Sequence, residues 1–331
     1  MISLVRLIAA LAAIVLACPA AALDETLLQQ RIAALGREAG KGALGVGVLD
    51  LRTGERWLHN GNRPFPMQSV YKAPIGVAVL REVDRGRLKL DQEVTIRRED
   101  LSVPLSPINR EFSGESRTYT VGRLLELMVS LSDNTAADVL MRLAGGPAAV
   151  TALLKEAGIE GMRIDRYERE LQPQTLGLGP FQPEWTDYAA LSAASARLPE
   201  AQRRKALDAA LADPRDSATP AASLDFLAKL QAGRLLSPAS TDLLLQIMRG
   251  SPTGPARLKA GLPKGSALAH KTGTSATGLG INMATNDIGL ATLPDGRVVA
   301  IAAYLSGSEK PAASRERILA EVARAAVDAL R

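Results

Sequence analysis

The chain has 331 residues, 47% of them apolar, enough to bury a sizeable core in one large domain or two interlocked ones. Its net charge of +5 is mild and its basic residues are scattered, which reads as solvated faces and excludes a nucleic-acid footprint. Two histidines, His59 and His270, and a single cysteine, Cys18, leave no material for a His/Cys metal site or an internal disulfide, so no cofactor is expected.

Residues 1–22 carry one early charge, Arg6, then an apolar run ending in Ala20-Ala21-Ala22. This reads as a cleaved secretory signal, too short to span stably, so no membrane-spanning segment is expected in the mature chain. Val15-Leu16-Ala17-Cys18 offers a rival reading as a lipoprotein box, with Cys18 lipidated. Asp24 to Arg37 reads as an amphipathic helix with acids in its first turn. Gly45 to Leu51 alternates like a strand, Arg52 to Glu55 is a turn, and Arg56 to His59 returns as a second strand. Gly45 and Gly47 lack the full phosphate-loop pattern and a following helix, so close packing is the expectation.

Ser69-Val70-Tyr71-Lys72 precedes an apolar helix running to Arg85-Gly86. Residues three apart share a helix face, so a hydroxyl stands beside an amine. A serine nucleophile needs such a group to take its proton. A polar segment, Lys89 to Glu99, leads to a loop with Pro104 and Pro107. Helices are expected over Arg123–Val129, from Ser132-Asp133-Asn134 to Gly145, and over Val150–Ala157. Arg163 to Gln172 is dense in charge with a poor apolar period and reads as a loop. Thr186–Ala196 and Pro199–Ala212 read as short helices, with Arg203-Arg204-Lys205 on the wet face of the second. Ala221–Ala232 and Ser237–Arg249 are helices, 267–275, 287–293 and 297–305 are strands, and Ser314–Leu330 is a closing amphipathic helix. Strands near both ends with helices between predict an α/β fold: an antiparallel sheet flanked by helices and formed by both termini, with an inserted all-helical domain. The expected division is 23–62 with 251–331 for the α/β part and 63–250 for the helical part.

Three motifs stand in order: Ser69-x-x-Lys72, Ser132-Asp133-Asn134 and Lys271-Thr272-Gly273. The second and third are each expected by chance at roughly 0.05–0.1 per chain, so the three together arise by accident under about one time in a hundred. The combination resembles the penicillin-recognising serine enzymes, and Arg166-Tyr167-Glu168-Arg169-Glu170-Leu171 resembles the Ω-loop that narrows them to the class A β-lactamases. The resemblance covers nearly all of the chain after residue 22 and implies the β-lactamase/transpeptidase-like fold, with the Ω-loop over about 163–220.

It implies further that Ser69 attacks the lactam carbonyl of penicillin- or cephalosporin-type antibiotics, giving resistance. The N–H groups of Ser69 and Thr274 would form the oxyanion hole. Lys72 or Glu168 would take the serine proton, and Glu168 would activate the deacylating water. Ser132, with Lys271 beside it, would pass a proton to the leaving nitrogen, and Asn134 would bond the substrate amide. Lys271, Thr272, Thr274 and Ser275 would meet the substrate carboxylate. Gly273 would keep the strand clear for substrate. Arg166 would pair with Asp216 to pin the loop, and Asp133 would be a buried turn-former. A monomeric, periplasmic enzyme with a small β-lactam as its only partner is expected.

The chain departs from the family pattern at several positions. Leu105 stands where an aromatic usually walls the entrance, Asp138 where an asparagine anchors the Ω-loop, and Gln172 where an asparagine helps hold the water. The strand after Lys271 lacks its usual arginine, which Arg257 is placed to supply. Gln68 and Ser275 stand where some members carry a disulfide. The Ω-loop is longer than usual by about 35 residues, with helices of its own. Two rival readings share the motifs: a penicillin-inhibited D-alanyl-D-alanine peptidase, and a β-lactam sensor that stays acylated.

Overall fold

The computed structural model describes residues 23–330; the expected signal peptide and Cys18 lie outside them. The central element is an antiparallel sheet. Its main strands, in spatial order, are Arg56–His59, Ala43–Asp50, Val298–Ser308, Ile281–Thr292 and Ala267–Thr274, the last of these on an edge, and the short strand Thr277–Gly278 also pairs with Ile281–Thr292. Alternation along a strand sends neighbouring side chains to opposite faces. Ile301, Ala303 and Leu305 therefore meet the helices Glu25–Glu38 and Ala312–Asp328, through Ile32, Ile318 and Val322. Ala300, Ala302 and Tyr304 face the other way, into a core with Leu224, Phe226 and the helix Lys72–Asp84.

Gly45 and Gly47 lie where helices and loops press closest on the sheet. A Cβ on Gly45 would come within 2.3 Å of Phe65, and one on Gly47 within 2.9 Å of Leu224. Close packing is thus the reason for both glycines, as the sequence suggests.

Several elements differ from expectation. The polar segment from Lys89 holds a strand, Glu93–Arg97, paired with Ser116–Thr120, its pattern hidden because only Ile96 is fully buried. The strand expected at 287 begins at Ile281, because Asn282, Thr285 and Asn286 are buried polar residues that mask its apolar run. Asn286 Nδ2 donates to the carbonyls of Pro66 (2.8 Å) and Met67 (3.1 Å), fastening the sheet to the segment before Ser69.

The expected loop at 163–172 is helical from Glu168 to Thr175, despite its charges and Pro173. An isolated helix start leaves several N–H groups without acceptors. Here Asp138, distant in sequence, accepts from the N–H of Glu168 (2.7 Å) and of Arg169 (3.1 Å). Glu170 Oε2 adds a local cap, accepting from Tyr167 N at 3.0 Å, but the acceptor for Glu168 N and Arg169 N comes from another part of the chain.

The long segment between Glu168 and Asp216 continues with helices Tyr188–Ala196 and Glu200–Ala212. It packs on itself and on the 103–105 loop through Trp185, Leu191 and Val103. Among the described residues no single helix is long and apolar enough to cross a membrane.

Candidate active site

Ser69 sits in a single 3-10 turn, Gln68–Tyr71, that runs directly into the helix Lys72–Asp84. Lys72 is fully buried, and its ammonium stands at the centre of the site. Nζ lies 3.1 Å from Ser69 Oγ, 2.5 Å from Asn134 Oδ1, 2.8 Å from the Ser132 carbonyl and 3.4 Å from Ser132 Oγ. It is also 3.0 Å from Glu168 Oε1, both side chains being fully buried. A buried carboxylate tolerates burial only beside such a partner. The other oxygen, Oε2, accepts from Gln172 Nε2 at 2.8 Å, and Gln172 Nε2 in turn donates to Gln68 Oε1 at 3.0 Å.

On the far side of Ser132, Lys271 Nζ donates to Ser132 Oγ (3.1 Å) and to the Thr272 carbonyl (3.0 Å). Burial, and then the charge of Lys72, push the Lys271 ammonium well below the usual lysine range. Ser132 therefore bridges two lysines. Asn134 is held by its Nδ2 donating to the Pro104 carbonyl at 2.6 Å. Asp133 caps the helix Asn134–Leu143, accepting from Ala136 N, Ile108 N and Ser106 Oγ, which is the turn-forming position expected of it.

The Ω-loop closes as an ion-paired knot. Arg166 Nε meets Asp216 Oδ2 at 2.6 Å, and Asp216 Oδ1 accepts from the N–H of Asp165 and Arg166. Asp216 also donates its own N–H to Asp165, while its carbonyl accepts from Met67 N at 3.0 Å. The knot is thus tied to the turn carrying Ser69. Asp138, at the other side of the loop, accepts additionally from Ser102 Oγ at 2.6 Å. Its carboxyl is pushed up to about 7, first by burial and then by the charge of Glu168, against the pull of its hydrogen bonds.

Arg257 is buried where an arginine is missing from the strand itself. Its Nη2 donates to Thr274 Oγ1 (2.7 Å), its Nη1 to the carbonyls of Gly273 and Asn286, and its Nε meets Glu316 at 3.2 Å. Thr272 Oγ1 donates to Thr253 Oγ1 at 2.8 Å. The Ser275 hydroxyl is tied to its own turn, donating to the Ala276 carbonyl and accepting from Ala284 N and Asn282 Nδ2.

Gly273 has a different steric partner from the one expected. A Cβ there would lie 2.2 Å from the Met67 carbonyl and 3.2 Å from Val70 N, so the glycine admits the nucleophile's turn against the strand. His270 turns away from the site as expected, with Nδ1 2.9 Å from buried Asp287.

Gln68, Leu105, Ser132 and Asp216 all hold positive φ, between 48° and 73°. Such backbone costs about 1–3 kcal/mol per residue and survives only where neighbours enforce it. Gln68 was not among the expected site residues, and its left-handed backbone is invisible in sequence. A cleft of about 350 Å³ opens from Ser69 between Leu105, 71% exposed, and Tyr188 of the insertion, 67% exposed. Arg203 was expected on a wet face but lines this cleft.

The model of the β-lactamase enzyme family matches residues 27–330. The chain is 32% identical over 303 residues to the extended-spectrum β-lactamase PER-1 of Pseudomonas aeruginosa, covering 91% of this chain and 86% of that protein. It is 31% identical to β-lactamase VEB-1 of the same organism, over 87% of this chain and 85% of that one. Among solved structures, a β-lactamase from Chitinophaga pinensis superposes with a TM-score of 0.76 at 34% identity, over 92% of this chain and 99% of that one. The class A β-lactamase of the last common ancestor of Gram-negative bacteria gives 0.75 at 37% identity, over 92% and 100%. With three motifs converging on one buried lysine and likeness running through the whole described chain, this protein belongs to the β-lactamase family, as a class A serine enzyme.

Proposed function

We propose that the chain hydrolyses the amide bond of β-lactam antibiotics through an acyl-enzyme on Ser69 and so confers resistance. The observation that carries this reading is the buried Lys72–Glu168 pair within reach of Ser69 Oγ and Ser132. Ser69 Oγ attacks the lactam carbonyl carbon as its proton passes to Lys72 or, through a water, to Glu168. The developing oxyanion is held by the N–H groups of Ser69 and Thr274. Support for that pairing comes from the position of Thr274 on an edge strand pressed against the turn of Ser69. The C–N bond then breaks, and Ser132 delivers a proton to the departing nitrogen, replenished through Lys271 or Lys72.

Deacylation needs a base, and Glu168 is a buried carboxylate paired with the same Lys72 ammonium that reaches Ser69 Oγ. Glu168 takes a proton from water, the hydroxide attacks the ester carbon, and Ser69 leaves with a proton returned to it. Gln172 orients Glu168 through Oε2, and the Asp138 cap and the Arg166–Asp216 knot hold its helix in place. Asn134 receives the substrate's side-chain amide, while Thr272, Thr274, Lys271 and Arg257 receive its carboxylate. Leu105 and Ser275 border the entrance. The enzyme acts as a periplasmic monomer, released by cleavage after Ala22 instead of being tethered by lipid at Cys18; the mass of the secreted protein distinguishes the two.

The test of the mechanism is steady-state turnover of a chromogenic cephalosporin together with intact-protein mass spectrometry. Sustained turnover and a covalent adduct that Ser69→Ala abolishes are expected. A single stoichiometric burst would mean a peptidase or a sensor, and an adduct persisting on Ser69→Ala would remove Ser69 from its role.

A further inference from the structure

The two insertion helices turn defined faces into the cleft that opens from Ser69. Residues three and four apart on a helix share a face. Leu191, Ser192 and Ser195 of Tyr188–Ala196 do so, as do Arg203 and Leu207 of Glu200–Ala212, and all five line the cleft. Leu191 and Leu207 are buried and supply an apolar wall.

Arg203 is half-buried on that wall, and its Nε is shut off from water without a hydrogen-bond acceptor. Among the other arginines of this loop, Arg163 is engaged with Asp165, Arg166 with Asp216, Arg215 with Asp213 and Arg169 over the Phe181 ring, and neither Arg197 nor Arg204 lines the cleft. The rest of the Arg203 guanidinium lines the open cleft, where its planar fork matches a carboxylate.

We propose that the insertion builds a side-chain subsite selecting β-lactams whose acylamino substituent carries a distal carboxylate on an apolar body. Arg203 pairs with the carboxylate, Ser192 and Ser195 donate to it, and Leu191 with Leu207 covers the apolar body. The proposal rests on the hydrolase reading above and deepens it by naming a substrate class.

The test compares benzylpenicillin with its analogue bearing a para-carboxylate on the phenyl ring. The parent should favour the carboxylate by 10-fold or more in kcat/KM. Arg203→Gln should bring that ratio to about 1, Arg203→Lys should keep part of it, and the neighbouring Arg204→Gln should leave it unchanged. The preference should appear chiefly in KM. A parent that turns over both penicillins equally, or an Arg203→Gln variant that keeps the preference, overturns the subsite and leaves the hydrolase reading standing. A parent that turns over neither overturns both.

Discussion

Replacing Asp138 by asparagine should change how the stability of the protein depends on pH. Burial and the neighbouring Glu168 raise the Asp138 carboxyl from 3.8 to about 7 in the folded state, against the pull of Ser102 and two backbone N–H groups. In the unfolded chain the group returns to its ordinary value. A carboxyl raised on folding contributes stability that is full below about pH 4 and is lost as pH rises through about 7. Linkage with these two values gives a loss of about 2–3 kcal/mol between pH 5 and pH 8. Asparagine keeps an oxygen for Glu168 N and can donate to Ser102 Oγ. It leaves Arg169 N without its acceptor, a cost that does not vary with pH. The constant offset is therefore irrelevant and the slope is the test. Urea unfolding of parent and Asp138→Asn, followed by tryptophan fluorescence at both pH values, should show the variant gaining about 2–3 kcal/mol on the parent at the higher pH. Parallel pH responses would refute the reasoning and mean that the N–H donors keep Asp138 ionised throughout.

Glu168→Gln should still acylate and then stall, so the penicillin adduct should persist far longer than in the parent by mass spectrometry; parental turnover would move the role to Glu170. Asp216→Ala breaks a buried ion pair, a loss of about 3–5 kcal/mol, and should slow deacylation on penicillins and cephalosporins alike. Thermal unfolding and kcat on both classes check it, and parental values on both would mean that the knot does not hold the base. Arg257→Ala removes a charge-assisted bond from the carboxylate end and should lower kcat/KM for penicillins roughly 10- to 150-fold. An unchanged kcat/KM would exclude it from substrate binding.

What was legible in the sequence was the chemistry carried by short spacings. Ser69 and Lys72 lie one helical turn apart, so their meeting follows from local geometry. The alternating strands and the expected helices were legible for the same reason, since period follows from backbone pitch. What depends on distant partners was not. The helix beginning at Glu168 takes its acceptors for Glu168 N and Arg169 N from distant Asp138, and only Glu170, accepting from Tyr167 N, marks its start locally. Arg203 reads as a surface residue because the face it joins is set by how the insertion folds over Ser69. Gly273 reads as a clearance for substrate, yet what approaches it is the carbonyl of Met67, two hundred residues earlier in the chain.

The order of the sheet has a consequence for how the protein comes into being. Residues 43–50 pair with 299–306, and the helix Glu25–Glu38 packs on Ala312–Asp328. These partners leave the ribosome last, so the first-made strand stays without its principal neighbour until synthesis is nearly complete. Lys271 and the edge strand are likewise late arrivals, made after Ser69, Lys72, Ser132 and Glu168. Shortening the chain by its last helix therefore removes one wall of the core that the sheet shares with Glu25–Glu38. The sheet that carries Lys271 is complete only when the ends of the chain find each other.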